Sequence, residues 1–316
     1  MPYRPALVGK ARLAGEATAP GRIHNVAGFA ILDVPIDSSG TGRGEERGPA
    51  AIRAAGLVSR LRARYAGEVD SRIRDTRRDR DTGVVGAAEV RRASRGIAPR
   101  VREVLDARER PLVLGGDCTL LLGVFQALPR GSGLWFVDGH ADFFDGDSSP
   151  TGEAADMDLA ILTGHGPPGF LPRDRPLLEP AAVVLLGHRP AELHPDVARE
   201  NARLDPAIHA LTAPEVRERR AARVGSDAAA QLAQRPAWLH LDLDVLDEGV
   251  LPAVSYPQAL GLNWDELVAL TQSLVAAPTL LGISVADFNP DRDPDGAHAA
   301  RVVEALESLC AARSNE

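Results

Sequence analysis

The sequence predicts an α/β protein built on a mainly parallel sheet with helices on both faces. Two observations carry this. Short apolar runs alternate with amphipathic stretches almost from end to end, the pattern of strands buried on both sides and joined by helical crossovers. No internal repeat and no Gly-, Ser- or Pro-rich linker divides the 316 residues, so one domain spanning 1–316 is expected.

The strands are read at VAGFAILDV (26–34), PLVLGG (111–116), LWFVD (134–138), AAVVLLG (181–187), AWLHLDLD (237–244) and LLGISVAD (280–287). Helices are read in PAAIRAAGLVSRLRAR (49–64), EVRRASRGIAPRVREVLDARE (89–109), TLLLGVFQAL (119–128), PEVRERRAARV (214–224) and AARVVEALESL (299–309). The arginine-rich stretch from Arg60 to Asp81 mixes both signs and reads as a solvated helix face and loop. Residues 145–175 read as long loops around one short helix.

Composition removes several function classes. The formal charge is −8, which argues against a general nucleic-acid binder. Lys10 is the only lysine, which excludes Schiff-base chemistry and a Walker-type phosphate loop. Cys118 and Cys310 are the only cysteines, too few for a disulfide framework, and this fits a reducing compartment. No run of about 18 apolar residues exists to span a membrane. The opening residues MPYRPALVGKARLAGEATAP lack the apolar core of a signal peptide, and a cytoplasmic protein is expected.

Polar residues follow four of the apolar runs directly. They are Gly115-Gly116-Asp117-Cys118, Asp138-Gly139-His140-Ala141-Asp142, Asp242 to Asp247, and Asp287-Phe288-Asn289-Pro290. In an open parallel sheet the carboxyl ends of the strands face one crevice, where ligands bind. Several carboxylates gathered there repel and are costly to desolvate, so they protonate or a cation holds them. Asp242 and Asp244 are two apart and, on a strand, point to one face, as does His240. Oxygen-rich donors with one or two imidazoles suit Mn²⁺, Mg²⁺ or another first-row divalent ion. Two ions about 3.5–4 Å apart, sharing carboxylates, accommodate this number of ligands.

These segments resemble those of the ureohydrolase superfamily of arginases, agmatinases and formiminoglutamases. Its metal segments read roughly GGDH, DAHxD and SxDxDxxDP, and here they stand as GGDC (115–118), DGHAD (138–142) and HLDLDVLDE (240–248). GRGEERGPAAIRAAGL (42–57) is similar to the family's early GPxxIRxxGL segment, and DFNP (287–290) to its late ExNP segment. The resemblance implies a three-layer α/β/α fold with a mainly parallel, roughly eight-stranded sheet, in a homo-oligomer, usually a trimer or hexamer. It implies two Mn²⁺ ions bridged by Asp138 and Asp242, with Cys118 and Asp142 completing one and His140 and Asp244 the other. The implied reaction is attack of a metal-activated hydroxide, hydrogen-bonded to Asp142, on the planar carbon of a guanidino or amidino compound.

Four departures shape the expectations. Cys118 stands at a histidine ligand position, and its softer thiolate prefers Zn²⁺ or Fe²⁺. Ala155 stands where the family places a proton-shuttle histidine, leaving Glu153 and His165 as candidate proton donors. Asp287 replaces the glutamate expected to hold the guanidinium, and Tyr256 replaces a small polar residue. His240 reads either as a partner orienting a ligand carboxylate or as a packed strand histidine. The expected function is metal-dependent hydrolysis of a linear C–N bond in a small guanidino or amidino substrate. The alternatives are a hydrolase of an N-hydroxyguanidine such as N-hydroxyarginine, and a non-catalytic binding protein of the same fold.

Overall fold

The computed structural model describes residues 27–311, so Val26 of the first expected strand lies outside the described residues. Among the described residues, eight strands form one sheet: β1 Ala27–Val34, β2 Arg64–Glu68, β3 Glu109–Gly115, β4 Gly133–Val137, β5 Val183–His188, β6 His209–Thr212, β7 Ala237–Asp242 and β8 Leu280–Ala286. Their order across the sheet is β2-β1-β3-β8-β7-β4-β5-β6, and every pairing is parallel.

Alternation along the strands divides the core into two layers. Ile31, Leu112, Leu114, Trp135, Leu239, Leu241 and Ile283 face one side. Helices α8 (Ala221–Gln231), α9 (Trp264–Ala276) and α10 (Ala297–Ala311) pack there. Leu32, Val34, Val113, Leu134, Phe136 and Trp238 face the other side, under α3 (Ala87–Asp106), α4 (Leu121–Ala127) and α5 (Asp158–Thr163). The fold is therefore the expected three-layer α/β/α sandwich. Among the described residues no helix is long and apolar enough to cross a membrane.

The elements depart from the sequence expectations at identifiable backbone signals. The helix expected over 49–64 splits into α1 (Gly48–Ala54) and α2 (Leu57–Arg60), because Gly56 adopts φ 100°, in the left-handed region. Arg64 then starts β2, an edge strand whose residues are at most half-buried and carry no alternation to read. The expected helix 214–224 likewise divides into α7 (Ala213–Glu218) and α8 at Arg220, φ 68°. The unexpected β6 is four residues long, HALT. Helix α6 (Pro195–Asn201) and α9 were also unexpected, although α9 starts at a complete capping box formed by Asn263 and Glu266.

One correction bears on the site. The strand expected over 237–244 ends at Asp242, and Leu243–Val245 form a 3-10 turn. The Asp244 N–H donates to Asp242 Oδ1 at 2.7 Å, capping that turn. Asp244 thus reaches the site from a turn, not from strand alternation.

Candidate metal centre

The sheet order sets β3, β8, β7 and β4 side by side. These are the four strands followed by the polar segments, so Cys118, Asp287, Asp242 and Asp138 meet at one rim. They line a cavity of about 330 Å³ with His140, Asp142 and Asp244. A volume of that size suits a small molecule.

Two groups of donors converge. In the first, donor atoms of Cys118, Asp138, His240 and Asp242 all lie within 4.8 Å of one another. The Cys118 thiol donates to Asp242 Oδ2 at 2.6 Å and lies 3.7 Å from Asp138 Oδ2. In the second, Asp138, His140 and Asp244 converge within the same 4.8 Å limit. His140 Nδ1 pairs with Asp244 Oδ2 at 2.8 Å, and the His140 backbone N–H donates to Asp138 Oδ1 at 2.7 Å. Asp138 belongs to both groups. Asp287 joins Asp242 and Asp244 in a third.

Burial, then mutual repulsion, pushes Asp138, Asp142, Asp242 and Asp287 well above the usual carboxylate range. The Cys118 thiol is raised in the same way. Burial also acts on His140 and Asp244, but their pairing outweighs it. It lifts His140 to about 10 and holds Asp244 below its ordinary value. Burial keeps the His240 imidazole neutral, lowering it to about 3. So many buried carboxylates at one rim keep their charges together only around cations. The donor set, two imidazoles, a thiol and several carboxylates, fits divalent first-row ions.

Asp142 lines the cavity but belongs to neither converging group, and His240 stands in the first group instead. The Asp142 backbone is in the left-handed region at φ 48°, and its carboxyl is repelled by Asp138 and Asp158. Asp287 adopts φ 64°, and its Oδ2 accepts the Ser255 N–H at 3.3 Å. His165 is not brought to the cavity: its Nε2 lies 3.2 Å from Asp205 and its ring tilts against Phe143. Glu153 is held beside the cavity by Arg43, while Ala155 lines the cavity itself. A further acidic trio, Asp37, Glu45 and Asp117, is partly committed to the backbone. Asp37 accepts the N–H groups of Ser39, Gly42 and Arg43.

Two contributors were not assigned from sequence. Arg189 is 1% exposed and donates to the carbonyls of Asp244, Val245, Leu246, Gln258 and Ala259 at 2.8–3.3 Å, tying down the chain after Asp242. Arg43 joins Glu45, Glu153 and Tyr256 at the cavity mouth. Arg189 reaches partners 55 to 70 residues away, and Arg43 reaches Glu153 and Tyr256 across 110 and 213 residues, so no local sequence signal marks these contacts.

The model of the Arginase family matches residues 27–311. The chain belongs to the arginase family. With it comes the family's class, hydrolases acting on carbon–nitrogen bonds in linear amidines. Arginase of Bacillus caldovelox is 30% identical over 295 residues, covering 89% of this chain and 97% of the relative. Its solved structure aligns with a TM-score of 0.75 at 29% identity, over 89% of this chain and 97% of that one. The arginase structure from Bacillus subtilis aligns with a TM-score of 0.78 at 25% identity, over 90% of this chain and 98% of that one.

Proposed function

We propose that this arginase-family protein hydrolyses the C–N bond of a small guanidino compound in a reaction that depends on two divalent ions, with Mn²⁺ at one position at least. The observation that supports this is the convergence of Cys118, Asp138, His140, Asp242 and Asp244 at one cavity rim, with Asp138 shared between two donor groups. Bound there, divalent ions would supply a water of lowered pKa as the nucleophile.

The chain's own residues do the rest. Asp142, open to the cavity, accepts a hydrogen bond from the attacking water and orients it. Asp287 faces the substrate's guanidinium, and its shorter side chain draws that group closer to the β8 end. Glu153, raised by burial to about 7, holds a proton near neutrality beside Tyr256, whose hydroxyl donates to Glu153 Oε1 at 3.4 Å. This pair supplies the proton to the departing amine, the task for which His165 is misplaced. The same reading carries the family's expectation of a cytoplasmic homo-oligomer.

The test is urea release from a panel of guanidino substrates, arginine first, with Mn²⁺ added. Turnover that disappears in Asp138→Asn and on chelation supports the reading. A protein that demonstrably holds metal but turns over no member of the panel would refute it.

A further inference from the structure

The two donor groups differ in chemistry. The second offers one imidazole and two carboxylates. The first offers a sulfur, a second imidazole and two carboxylates, all fully or almost fully buried. His240 is 0% exposed, and each ring nitrogen has a defined neighbour. Nδ1 lies 2.7 Å from Ser284 Oγ, which also accepts the Trp238 indole N–H at 2.9 Å. Nε2 lies 3.1 Å from Cys118 Sγ. The ring stacks on Phe136, centroids 5.3 Å apart at 17°.

With the Trp238 proton on one lone pair, Ser284 Oγ has another open to Nδ1–H of His240, the tautomer that an ion bound at Nε2 would require. That tautomer turns the Nε2 lone pair toward the thiol and the two carboxylates. Metal-binding histidines are held in this way, one ring N–H given to an outer partner and the other nitrogen free. The sulfur lies 2.6, 3.7 and 3.1 Å from its three donor neighbours. These distances bracket the roughly 3.5 Å donor–donor edge of a tetrahedron with bonds of about 2.0–2.3 Å.

We propose that Cys118, His240, Asp138 and Asp242 form a four-donor site for Zn²⁺, with His240 a direct ligand, and that the protein holds two chemically different metals. A sulfur–nitrogen donor set follows the preference of a borderline-soft ion, whereas the oxygen-rich second group suits Mn²⁺. On binding, the Cys118 S–H bond breaks, the sulfur's electron pair bonds the ion, and the proton passes to bulk buffer. This assignment rests on the metal-dependent reading above and deepens it, but its test does not depend on turnover.

The experiment titrates the chelator-treated full-length protein with Co²⁺, then examines the one-equivalent Zn²⁺ form by X-ray absorption. The first equivalent of Co²⁺ is expected to give an intense thiolate-to-cobalt band in the near ultraviolet, absent in Cys118→Ser. The Zn²⁺ form is expected to show one sulfur and one imidazole in its inner shell. In His240→Gln the imidazole scattering disappears, the sulfur remains, and Zn²⁺ affinity falls by about 100-fold or more, beyond the usual loss of an outer partner. Circular dichroism establishes that each variant is folded; should His240→Gln fail to fold, the wild-type shell still decides. An all-oxygen shell, imidazole scattering that survives in folded His240→Gln, or Mn²⁺ competing equally with Zn²⁺ for this position would overturn the proposal. Sulfur and imidazole ligation without turnover of any guanidino substrate defeats the proposed function and leaves this site standing. Turnover without them does the reverse.

Discussion

Arg43 grips Glu153 with both terminal nitrogens, at 3.0 and 2.8 Å. The same guanidinium reaches Glu45 at 2.7 Å and lies 5.0 Å from the centre of the Tyr256 ring. One cation therefore pairs with two largely buried acids and fixes the cavity mouth. Arg43→Ala is expected to destabilise the protein by about 2–4 kcal/mol, because it strands two buried carboxylates. Arg43→Lys should recover only part of that, since an ammonium cannot make the paired contact. Denaturant midpoints of the three proteins measure this, and an unchanged midpoint for Arg43→Ala would contradict it.

Glu45 and Glu153 are both lifted, chiefly by burial, from about 4.5 to about 7. The folded state thus binds their protons more tightly than the unfolded chain does. Stability is greatest below about pH 4.5 with respect to these groups and falls as pH rises through about 7. Thermal midpoints of the metal-free protein across that window should decline with pH, and Glu153→Gln should make the decline shallower. A decline just as steep in the variant would show that Glu153 does not titrate there.

Ion binding opposes that trend. An ion must displace protons from Asp138, Asp242 and His140, so affinity rises with pH. The rise in melting temperature produced by a fixed excess of Mn²⁺ or Zn²⁺ is expected to be larger near pH 8 than near pH 6. Calorimetry in buffers of different ionisation enthalpy should register proton release. Equal shifts at both pH values, with no protons released, would mean that these groups are not ligands.

A Cβ placed on Gly139 would lie 2.6 Å from Asp244 Oδ1, 2.8 Å from the Asp244 carbonyl oxygen and 2.8 Å from Arg189 Nη1. Gly139→Ala must therefore displace the carboxylate that pairs with His140. The expected result is a loss of about 10-fold or more in affinity at the second metal position, in the range of losses caused by disturbing ligand-orienting partners. Binding at the Cys118 position should change less. Metal titrations monitored separately for Co²⁺ and Mn²⁺ test the difference, and equal losses at both positions would refute it.

Replacing Arg189 by methionine keeps much of its volume and removes all five carbonyl contacts. The Val245 and Gln258 carbonyls keep the N–H groups of Leu262 and Glu248, whereas the Asp244, Leu246 and Ala259 carbonyls are stripped of their donor at about 1–3 kcal/mol each before relaxation. A drop in stability of several kcal/mol is expected, together with weakened binding at Asp244. A variant of unchanged stability would show that water replaces the guanidinium without loss.

The sequence made the central strands legible because runs such as LWFV and LVL have no polar interruption, and burial on both faces demands that. It also made legible the polar residues at their ends. The edge strands were not legible: β2 is half-exposed and β6 is four residues long, so neither has a hydrophobic pattern to read. Helix breaks at Gly56 and Arg220 depend on single left-handed residues within otherwise helical periodicity. His240 was recognised as lying on the ligand side of its strand, but its contact with Cys118 joins residues 122 apart and no local pattern encodes it.

By itself the sequence determined the inventory: α/β layering, acidic and imidazole donors behind apolar strands, a thiol among them, and an alanine where a histidine was expected. The first three follow from composition and spacing along the chain, and the alanine from the resemblance to the family. Tertiary structure alone decided which donors share a site, because strand order is set by long-range pairing. By laying β8 and β7 between β3 and β4, it brought Cys118 against Asp242 and His240, left His165 with Asp205, and drew Arg43 across to Glu153.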